Sequence, residues 1–304
     1  MGGLIALTGA TGFIGQHLLR ELPKRGYRIR ALLRRPSDLP VAATSAVIGD
    51  IVRPQNMAAA LEGVDAIIHS AGIAHAMSGA PADDYRVLNT EATVNLARAA
   101  HRARVRRFVF LSSIRAQTGP CADTVLTDEN EPKPTNAYGR SKLAAEEGLA
   151  QLDLDWVALR LVLVYGPGVK GNMAEMVRIA RLPYPLPLSG LSARRSLLAV
   201  DNLTAAIDTV LAAPGPLRRS FIIADREALT IAEMIAALRR GLGRRPGLFP
   251  VPTPLLRAFC QATRREQVFV RLTGSLVVEA SGLAKLGWAP AVTTPDGLER
   301  LTRQ

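Results

Sequence analysis

The opening segment constrains the fold of this chain more than any other part of the sequence. The apolar run Leu4–Leu7 predicts a strand, and Phe13–Arg25 predicts a helix that follows it after closely spaced glycines. In such a turn one glycine permits a tight exit from the strand, one lets the backbone approach a pyrophosphate, and one allows close helix packing. The positive end of the helix then favours an anion. A glycine-rich turn without a ligand is the alternative to a dinucleotide cradle formed by Gly9, Thr11, Gly12, Phe13, Ile14 and Gly15.

Short apolar runs alternate with helical patterns over residues 1–165. The predicted strands are Leu4–Leu7, Arg28–Leu33, Ala46–Ile48, Asp65–His69, Phe108–Ser112 and Trp156–Val164. The predicted helices are Phe13–Arg25, Pro54–Leu61, Asp84–Ala103 and Asn136–Gln151. Apolar strands separated by helices are typical of a parallel sheet covered on both faces. The predicted fold class is therefore α/β, a doubly wound parallel sheet of the Rossmann type with a smaller C-terminal substrate-binding cap.

The cap is predicted from a change in the sequence after Tyr165. Segments 181–190 and 246–256 are rich in proline and suit crossings or lids rather than helices. The elements predicted around them are helices near Asp201–Ala212 and Ile231–Gly241 and a strand at Ser220–Ala224.

These elements suggest a division of the chain. We expect residues 1–165 to form a dinucleotide-binding domain, with a segment at about 195–225 returning to its sheet. Residues 166–194 and 226–304 would then form the smaller substrate-binding region.

Composition limits the classes of protein to which the chain can belong. Of its 304 residues, 48% are hydrophobic and 21% are charged, so there is enough apolar material for a large core. Two cysteines, Cys121 and Cys260, are too few for a disulfide framework, and no Cys/His cluster has metal-site spacing. The sequence contains no run of about 18 uncharged apolar residues, so no membrane-spanning helix is predicted. We expect a cytoplasmic protein with no metal and no membrane segment.

The formal charge is +12, from 38 basic and 26 acidic side chains. A basic surplus favours anionic partners such as nucleic acids, anionic lipids or phosphorylated small molecules. The arginines are mostly scattered, and the aromatic residues that stack on bases make up only 5% of the chain. We therefore predict an anionic small-molecule ligand and no nucleic-acid partner.

The end of the second predicted strand bears on which dinucleotide binds. An acid there would bind the adenosine ribose and repel a 2′-phosphate, but the sequence continues as Leu33-Arg34-Arg35. Guanidinium groups match phosphate geometry, so Arg34 and Arg35 favour NADP over NAD. The alternative is a solvated loop beside bound NAD.

Two further strand ends are predicted to line the cofactor crevice. Asp50, followed by Ile51, is placed to accept from the adenine amino group, with a turn or cap role as the alternative. Ser70, Ala71 and Gly72 follow the next strand. For His69 we favour a buried, hydrogen-bonded role over a chemical one.

A proton-transfer set is predicted where the fifth strand ends and the next helix begins. Ser112 and Ser113 end the strand, and Tyr138 and Lys142 share a helix face because they are four residues apart. A tyrosine is a poor base at neutral pH, and a nearby ammonium lowers its pKa. Such a set suits hydride chemistry, in which one group handles the alcohol proton while a nicotinamide takes the hydride.

Taken together, these motifs resemble the extended short-chain dehydrogenase/reductase family, and within it the nucleotide-sugar epimerases, dehydratases and 4-keto reductases. The matching segments run through nearly the whole chain, and they are Thr8–Gly15, Gly49-Asp50, Asp65–Gly72, Asn89-Thr90, Ser112-Ser113, Tyr138–Lys142, Leu159-Arg160, Tyr165–Pro167, Arg195-Ser196, Val200–Asn202 and Leu286–Pro290.

The resemblance implies a role for each matching residue. The catalytic hydroxyl maps best to Ser113, with Ser112 as its competitor, while Tyr138 is the acid/base. Lys142 would tune the tyrosine and bind the nicotinamide ribose. Ser112, Tyr138 and Asn89 would lie beside the cofactor. The residues implied for the substrate diphosphate are Asn172, Arg195 and, more weakly, Arg271, with a helix cap and surface charges as the alternatives.

Two departures from the UDP-galactose 4-epimerase pattern weaken that specific label. Leu33-Arg34 replaces an acid, and Val162–Val164 replaces a segment that often carries asparagine. The runs Val164–Asn172 and Arg194–Leu197 look more like bacterial enzymes of surface-polysaccharide sugar synthesis.

The resemblance therefore implies an NAD(P)-dependent epimerase or reductase acting at carbon 4 of a UDP-hexose. It also suggests a homodimer formed through the helices Asp84–Ala103 and Asn136–Gln151. The alternatives are a non-catalytic nucleotide-sensing or assembly protein of the same fold, and a reductase of a non-nucleotide carbonyl.

Overall fold

The computed structural model describes residues 2–39, 43–73, 81–263, 269 and 272–303. The strands are β1 (Leu4–Thr8), β2 (Arg28–Leu33), β3 (Thr44–Val47), β4 (Ala66–His69), β5 (Arg107–Ser113), β6 (Trp156–Leu161), β7 (Leu163–Tyr165), β8 (Arg194–Ala199), β9 (Arg219–Ile223) and β10 (Ala228–Thr230). Seven of them form one parallel sheet in the order β3-β2-β1-β4-β5-β6-β9. The chain reverses direction across the sheet between β1 and β4, which opens a crevice at the carboxyl ends of the strands.

Helices cover this sheet and extend beyond it. They are α1 (Phe13–Glu21), α2 (Met57–Leu61), α3 (Ala82–Tyr85), α4 (Ala92–Arg102), α5 (Ala137–Ala150), α6 (Asn172–Ala180), α7 (Val200–Ala212), α8 (Ile231–Gly241), α9 (Thr253–Ala262) and α10 (Thr294–Thr302). Among the residues described above, no helix is both long enough and apolar enough to cross a bilayer.

The two faces of the large sheet pack into separate cores. On one face, β1 contributes Ile5 and Leu7 to a cluster that includes Leu18 of α1 and Ile207 of α7. On the other, Ala6 packs with residues of α2, α4 and α5. Because successive strand residues point to opposite faces, a strand buried on both sides must be apolar throughout. The predicted α/β fold, with helices on both faces of a parallel sheet, is confirmed.

A second, three-stranded sheet begins where β6 ends. Its order is β10-β8-β7, with β7 and β8 parallel and β8 and β10 antiparallel. The single strand predicted over Trp156–Val164 is therefore wrong, because Val162 separates β6 from β7 and the two strands join different sheets. β9, within the predicted return segment, pairs with β6 at the edge of the large sheet.

The long helix predicted at Asp84–Ala103 contains a π-helical turn. Arg86–Glu91 connects α3 and α4 with this wider geometry, and Asn89 at its centre is buried. Turns of this kind interrupt helices frequently at functional sites. Here the turn directs the Asn89 side chain towards the crevice.

Candidate active site

Two adjoining cavities occupy the crevice at the carboxyl ends of the strands. The first, here called the glycine-rich cavity, has a volume of about 630 Å³ and is lined by the ends of β1 and β2 and by residues 48–51. The second, the tyrosine cavity, has a volume of about 430 Å³ and contains Tyr138. Gly72 and Ile73 line both, so the two cavities are direct neighbours.

The turn after β1 is shaped by the absence of side chains. Gly9 has a φ of 69°, in the left-handed region that favours glycine. A Cβ at Gly15 would overlap the Gly9 carbonyl oxygen, whereas a Cβ at Gly12 would meet only that oxygen, at 3.2 Å. Gly12 caps α1 without a side-chain hydrogen bond, and the first turn of α1 carries no acid. These observations fit a dinucleotide pyrophosphate, which needs close backbone approach and N–H donors.

The remaining residues predicted for the cradle surround this turn. Thr11 lines the glycine-rich cavity and Ile14 lines the tyrosine cavity. The ring of Phe13 lies near Gly166, since a Cβ built there would be 3.6 Å from Phe13 Cζ.

The opposite wall of the glycine-rich cavity carries the charged residues predicted from the sequence. Arg34 and Arg35 both line it, together with Asp50 and Ile51. Arg34 Nη2 lies 3.6 Å from Asp50 Oδ2, and both side chains are exposed. Asp50 Oδ1 also accepts the Val52 N–H at 3.0 Å, so the turn role that we gave as the alternative is present.

Ser113 and Tyr138 meet in the tyrosine cavity. Their hydroxyls are hydrogen-bonded, and Ser113 Oγ also accepts the Arg115 N–H at 3.2 Å. Asn136 caps α5 by accepting the Gly139 N–H at 2.7 Å. A Cβ at Gly139 would overlap the Arg115 carbonyl oxygen, so glycine is what lets the turn after Ser113 touch the first turn of α5.

Ser112, the competitor of Ser113, has a different environment. Its hydroxyl donates to the carboxylate of Glu146, which forms a buried ion pair with Arg160 at 2.7 Å. Ser220 and Gln117 hydrogen-bond to this pair at 2.8 and 3.0 Å. Removing one partner would leave a buried charge uncompensated, so these polar groups are held in place. Ser113, and not Ser112, therefore presents its hydroxyl to Tyr138.

Lys142 lies one helical turn beyond Tyr138, as its spacing predicted. Its Nζ donates to the Leu111 carbonyl at 3.0 Å and lies 4.5 Å from the centre of the Phe110 ring. Burial lowers the pKa of Lys142 to about 8, against the opposing effect of Glu146. The Lys142 ammonium is thus bound to the backbone of β5 and lies against the Phe110 ring.

The pKa of Tyr138 differs from the sequence-based expectation. We expected the Lys142 ammonium to lower it, but in the structure the pKa of Tyr138 is raised. Burial of the phenol is the largest cause, and it outweighs the lowering by the hydrogen bond with Ser113 and by the charge of Arg115. A phenol in this site therefore holds its proton until something stabilises the phenolate.

His69 is part of a buried polar network. Thr8 Oγ1 accepts the N–H groups of Ser70 and Ala71, each at 3.2 Å, so its own proton points to His69 Nδ1 at 2.7 Å. His69 Nε2 then donates to Thr93 at 2.9 Å. Burial, with a smaller contribution from the Lys142 charge, lowers the pKa of His69 to about 3. A neutral, structural histidine agrees with the role we favoured.

Asn89 fixes the loop that separates the two cavities. Its side chain accepts the Ile73 N–H at 2.9 Å and donates to the Ile73 carbonyl at 3.1 Å and to Ser141 Oγ at 3.2 Å. A Cβ at Gly72 would lie only 2.7 Å from Asn89 Oδ1. Asn89 thereby ties the cofactor-side loop to α5.

The residues predicted for the substrate diphosphate lie on the far side of the tyrosine cavity. Asn172 and Arg195 both line it. Asn172 is the first residue of α6, and its neighbour Gly171 is the cap, so the cap role that we gave as the alternative does not apply. Arg195 Nη1 donates to the Pro120 carbonyl at 3.2 Å. Arg271 lies outside the described residues.

Several lining residues were not predicted from the sequence. Arg115 is the most important, because it adds a charge beside Tyr138 and could have been found only from its place two residues after Ser113. Pro120 and Leu276 come from distant segments and carried no recognisable signal. Among the described residues that line the tyrosine cavity there is no acid, and the cations are Arg115, Lys142 and Arg195.

Comparisons with known proteins identify the family. UDP-glucose 4-epimerase of Vibrio cholerae is 32% identical over 307 aligned residues, which cover 97% of this chain and 93% of that protein. Ceramide reductase of Caulobacter vibrioides is 29% identical, with 88% of this chain and 81% of the reductase covered.

Among solved structures, MoeE5 in complex with UDP-glucose and NAD superimposes with a TM-score of 0.76 at 25% identity, covering 99% of this chain and 97% of its own. The family model named NAD dependent epimerase/dehydratase matches residues 5–224. These matches confirm the predicted family and the prediction of an NAD-dependent enzyme. The chain belongs to the NAD dependent epimerase/dehydratase family.

Proposed function

We propose that this enzyme acts at carbon 4 of a UDP-linked hexose, either as an epimerase or as a reductase of a 4-keto sugar. The observation that carries the proposal is the hydrogen-bonded pair Ser113 and Tyr138, in a cavity that shares the lining residues Gly72 and Ile73 with the glycine-rich cavity. The similarity to UDP-glucose 4-epimerase of Vibrio cholerae over 97% of the chain supports the choice of substrate.

The proposed cofactor site is the glycine-rich cavity. The turn Gly9–Gly15 and the N-terminus of α1 would hold the pyrophosphate, and residues 49–51 the adenosine. Lys142, Asn89 and the strand end at Ser112 lie where the cavity continues towards Tyr138. When bound, the dinucleotide supplies hydride transfer to or from the substrate carbon. We propose NADP over NAD because Arg34 and Arg35 line the adenosine end and no acid follows Leu33.

The protein's own contribution is proton handling and positioning. The Ser113 hydroxyl orients the oxygen on carbon 4, and the Tyr138 hydroxyl gives that oxygen a proton in reduction and takes it back in oxidation. Lys142 holds α5 against β5 through the Leu111 carbonyl. Arg195 and Asn172 would bind the diphosphate, for which a planar guanidinium is well suited. Aliphatic side chains at 161–164 give this cavity an apolar wall.

An activity assay tests the proposal. The purified protein is incubated with UDP-glucose and with UDP-N-acetylglucosamine in the presence of NAD⁺ or NADP⁺. It is incubated separately with their 4-keto-6-deoxy derivatives in the presence of NADPH or NADH. Interconversion of epimers without net change in the amount of oxidised cofactor identifies an epimerase. Stoichiometric consumption of reduced cofactor with a 4-keto sugar identifies a reductase. Absence of turnover with every nucleotide sugar contradicts the proposal.

A second candidate is favoured by one observation. Ceramide reductase of Caulobacter vibrioides is 29% identical over 88% of this chain, and its name describes a lipid rather than a nucleotide sugar. A reductase of a lipid ketone would need neither Asn172 nor Arg195. Turnover of a long-chain ketone that an Arg195→Ala variant retains would favour this candidate over the first.

We also infer a homodimer formed through α4 and α5, the helices that the sequence suggested. Light scattering of the purified protein measures its mass directly. A mass of one chain at working concentration would contradict this inference.

A further inference from the structure

Arg115 lies in the tyrosine cavity, on the short turn that follows Ser113. Its backbone N–H donates to Ser113 Oγ, which is itself hydrogen-bonded with the Tyr138 hydroxyl. Its carbonyl occupies the space that a Cβ at Gly139 would need. The turn is therefore pressed against the first turn of α5, and this packing fixes the base of the Arg115 side chain beside Tyr138.

Charged and titratable groups face Tyr138 from several elements. The turn contributes Arg115, and α3 contributes Tyr85, whose ring centre lies 6.0 Å from that of Tyr138. On α5 itself, Lys142 binds the Leu111 carbonyl. The neighbouring π turn contributes Arg86 and Glu91, which pair with each other at the surface, and β6 contributes Arg160, which is paired with Glu146.

These groups act on the phenol in opposite directions. Burial raises the pKa of Tyr138 most and Tyr85 adds a little, while Ser113 and Arg115 lower it. Lys142 and Arg115 differ in the pH range over which they stay charged. The pKa of Lys142 is lowered to about 8, so its charge is lost as the pH rises into the range where a phenol deprotonates. A guanidinium keeps its charge throughout.

We propose that Arg115 is a positioning residue whose guanidinium stabilises the deprotonated form of Tyr138, in addition to any effect of Lys142. The inference rests on the proposed function, because it assumes that Tyr138 transfers the proton. It assigns a permanent positive charge acting on Tyr138 to a residue outside the Tyr138–Lys142 motif, and distinct from Arg195 elsewhere in the cavity. A buried phenolate without such a charge would be costly, since ionised groups are poorly stabilised in a low-dielectric cavity.

The first test is the pH dependence of turnover in the oxidative direction, where Tyr138 must accept a proton. In Arg115→Met the limb that reports deprotonation of Tyr138 should move to higher pH by about one unit, the lower end of what an adjacent opposite charge produces. Arg115→Lys keeps a positive charge, so its profile should stay close to that of the unaltered protein. Arg140→Met is the matched control, because Arg140 is an exposed arginine on α5, the helix that carries Tyr138. Its profile should coincide with that of the unaltered protein.

The second test needs no substrate. The near-ultraviolet absorbance of tyrosinate is titrated in the cofactor-free protein, and the Tyr138→Phe titration is subtracted to isolate Tyr138. Arg115→Met should raise the midpoint and Arg115→Lys should not. Unchanged midpoints and profiles in Arg115→Met, or loss of turnover with no shift, would overturn the inference.

The two proposals fail in different ways. If neither the unaltered protein nor any variant turns over a nucleotide sugar, the proposed function is wrong. The absorbance titration still decides whether Arg115 lowers the pKa of Tyr138. If thermal melting shows that Arg115→Met is unfolded, the comparison is made with Arg115→Gln, which keeps hydrogen-bonding capacity and removes the charge.

Discussion

The two cavities are adjacent but are built in different ways. The glycine-rich cavity is shaped by backbone, and its tight turn depends on Gly9 and Gly15, at which a side chain has no room. The tyrosine cavity is shaped by side chains that arrive from β5, α5, α6 and β8, and from position 276. A position that tolerates no Cβ is marked in the sequence by its glycine, so the turn of the first cavity can be recognised from one segment. The approach of residues from distant segments, such as Pro120 and Leu276, to the second cavity is seen only in the fold.

Charge separates the two cavities as well. The pair Arg34 and Asp50 is exposed at 3.6 Å, where ion pairs contribute little. Around Tyr138, Ser113 and Lys142 are buried and Arg115 is half-buried, so charges there are less screened by water and change the properties of their neighbours more strongly. Variants at the tyrosine cavity should therefore change chemistry, and variants at the glycine-rich cavity should change binding or stability.

The largest expected effect is on turnover in Tyr138→Phe. Without the phenol hydroxyl no group of the Ser113 pair can move the substrate proton, and positioned acid–base groups contribute about 10²- to 10⁴-fold. We expect kcat to fall by about 10³-fold while cofactor binding, measured by fluorescence titration, stays within about twofold. Tyr184→Phe, at an exposed tyrosine, is the control and should be fully active. Retention of more than a tenth of the activity in Tyr138→Phe would place the acid–base group elsewhere.

The glycines of the first cavity give the next largest effect. In Gly15→Ala the new methyl overlaps the Gly9 carbonyl, so the free energy of unfolding should fall by about 3 kcal/mol, as for a severe overpacking. In Gly12→Ala the methyl meets a single oxygen at 3.2 Å, so the protein should remain stable. Urea denaturation measures both. Equal losses would mean that Gly15 is not more tightly packed than Gly12.

The difference between the cavities explains what sequence reasoning achieved. The order of β1, α1 and β2 follows from the hydrophobic pattern, and the shared face of Tyr138 and Lys142 follows from helical spacing. The preference for Ser113 over Ser112 came from the family resemblance, and the structure adds a physical reason, because Glu146 takes the Ser112 hydroxyl.

Two other features could not be predicted from the sequence, for similar reasons. The hydrophobic pattern predicts one strand over Trp156–Val164, because β6 and β7 are both mostly apolar. The two strands differ only in the sheet that each one joins. The direction of the Tyr138 pKa shift depends on burial against Ser113 and Arg115, and the sequence does not show burial.

A pH experiment extends the comparison to the region beyond β6. Asp225 is buried, accepts hydrogen bonds from Tyr165, Asn202 and the Ala199 N–H, and thereby joins β7 and β8 to α7. Burial raises its pKa from 3.8 to about 6. Because the folded protein keeps this proton up to a higher pH than the unfolded chain, the stabilisation is present below about pH 4 and is lost as the pH rises through about 6.

We expect Asp225→Asn to remove this dependence. The difference in unfolding free energy between pH 4 and pH 7 should shrink by about 3 kcal/mol at most, since one pKa unit corresponds to about 1.4 kcal/mol. Asp153→Asn, which removes the same charge at an exposed site, should leave the pH dependence unchanged. A pH dependence that is the same in both variants would show that Asp225 titrates alike in the folded and unfolded chains.

The smallest effect tests the adenosine end. If Arg34 and Arg35 bind a 2′-phosphate, the Arg34→Ala/Arg35→Ala double variant should raise the KM for NADP by about tenfold, the range for charge-assisted hydrogen bonds, and leave the KM for NAD unchanged. Stability should change little, because the pair that Arg34 forms with Asp50 is exposed. Arg28→Ala is the control, since Arg28 is exposed at the opposite end of β2. An equal rise in KM for both cofactors would show that the two arginines do not recognise a 2′-phosphate. It would support the alternative, in which they lie in a solvated loop beside bound NAD. That outcome would sharpen the contrast between the cavities, because the glycine-rich cavity would then bind its ligand without a cationic side chain, chiefly through the backbone of the turn after β1.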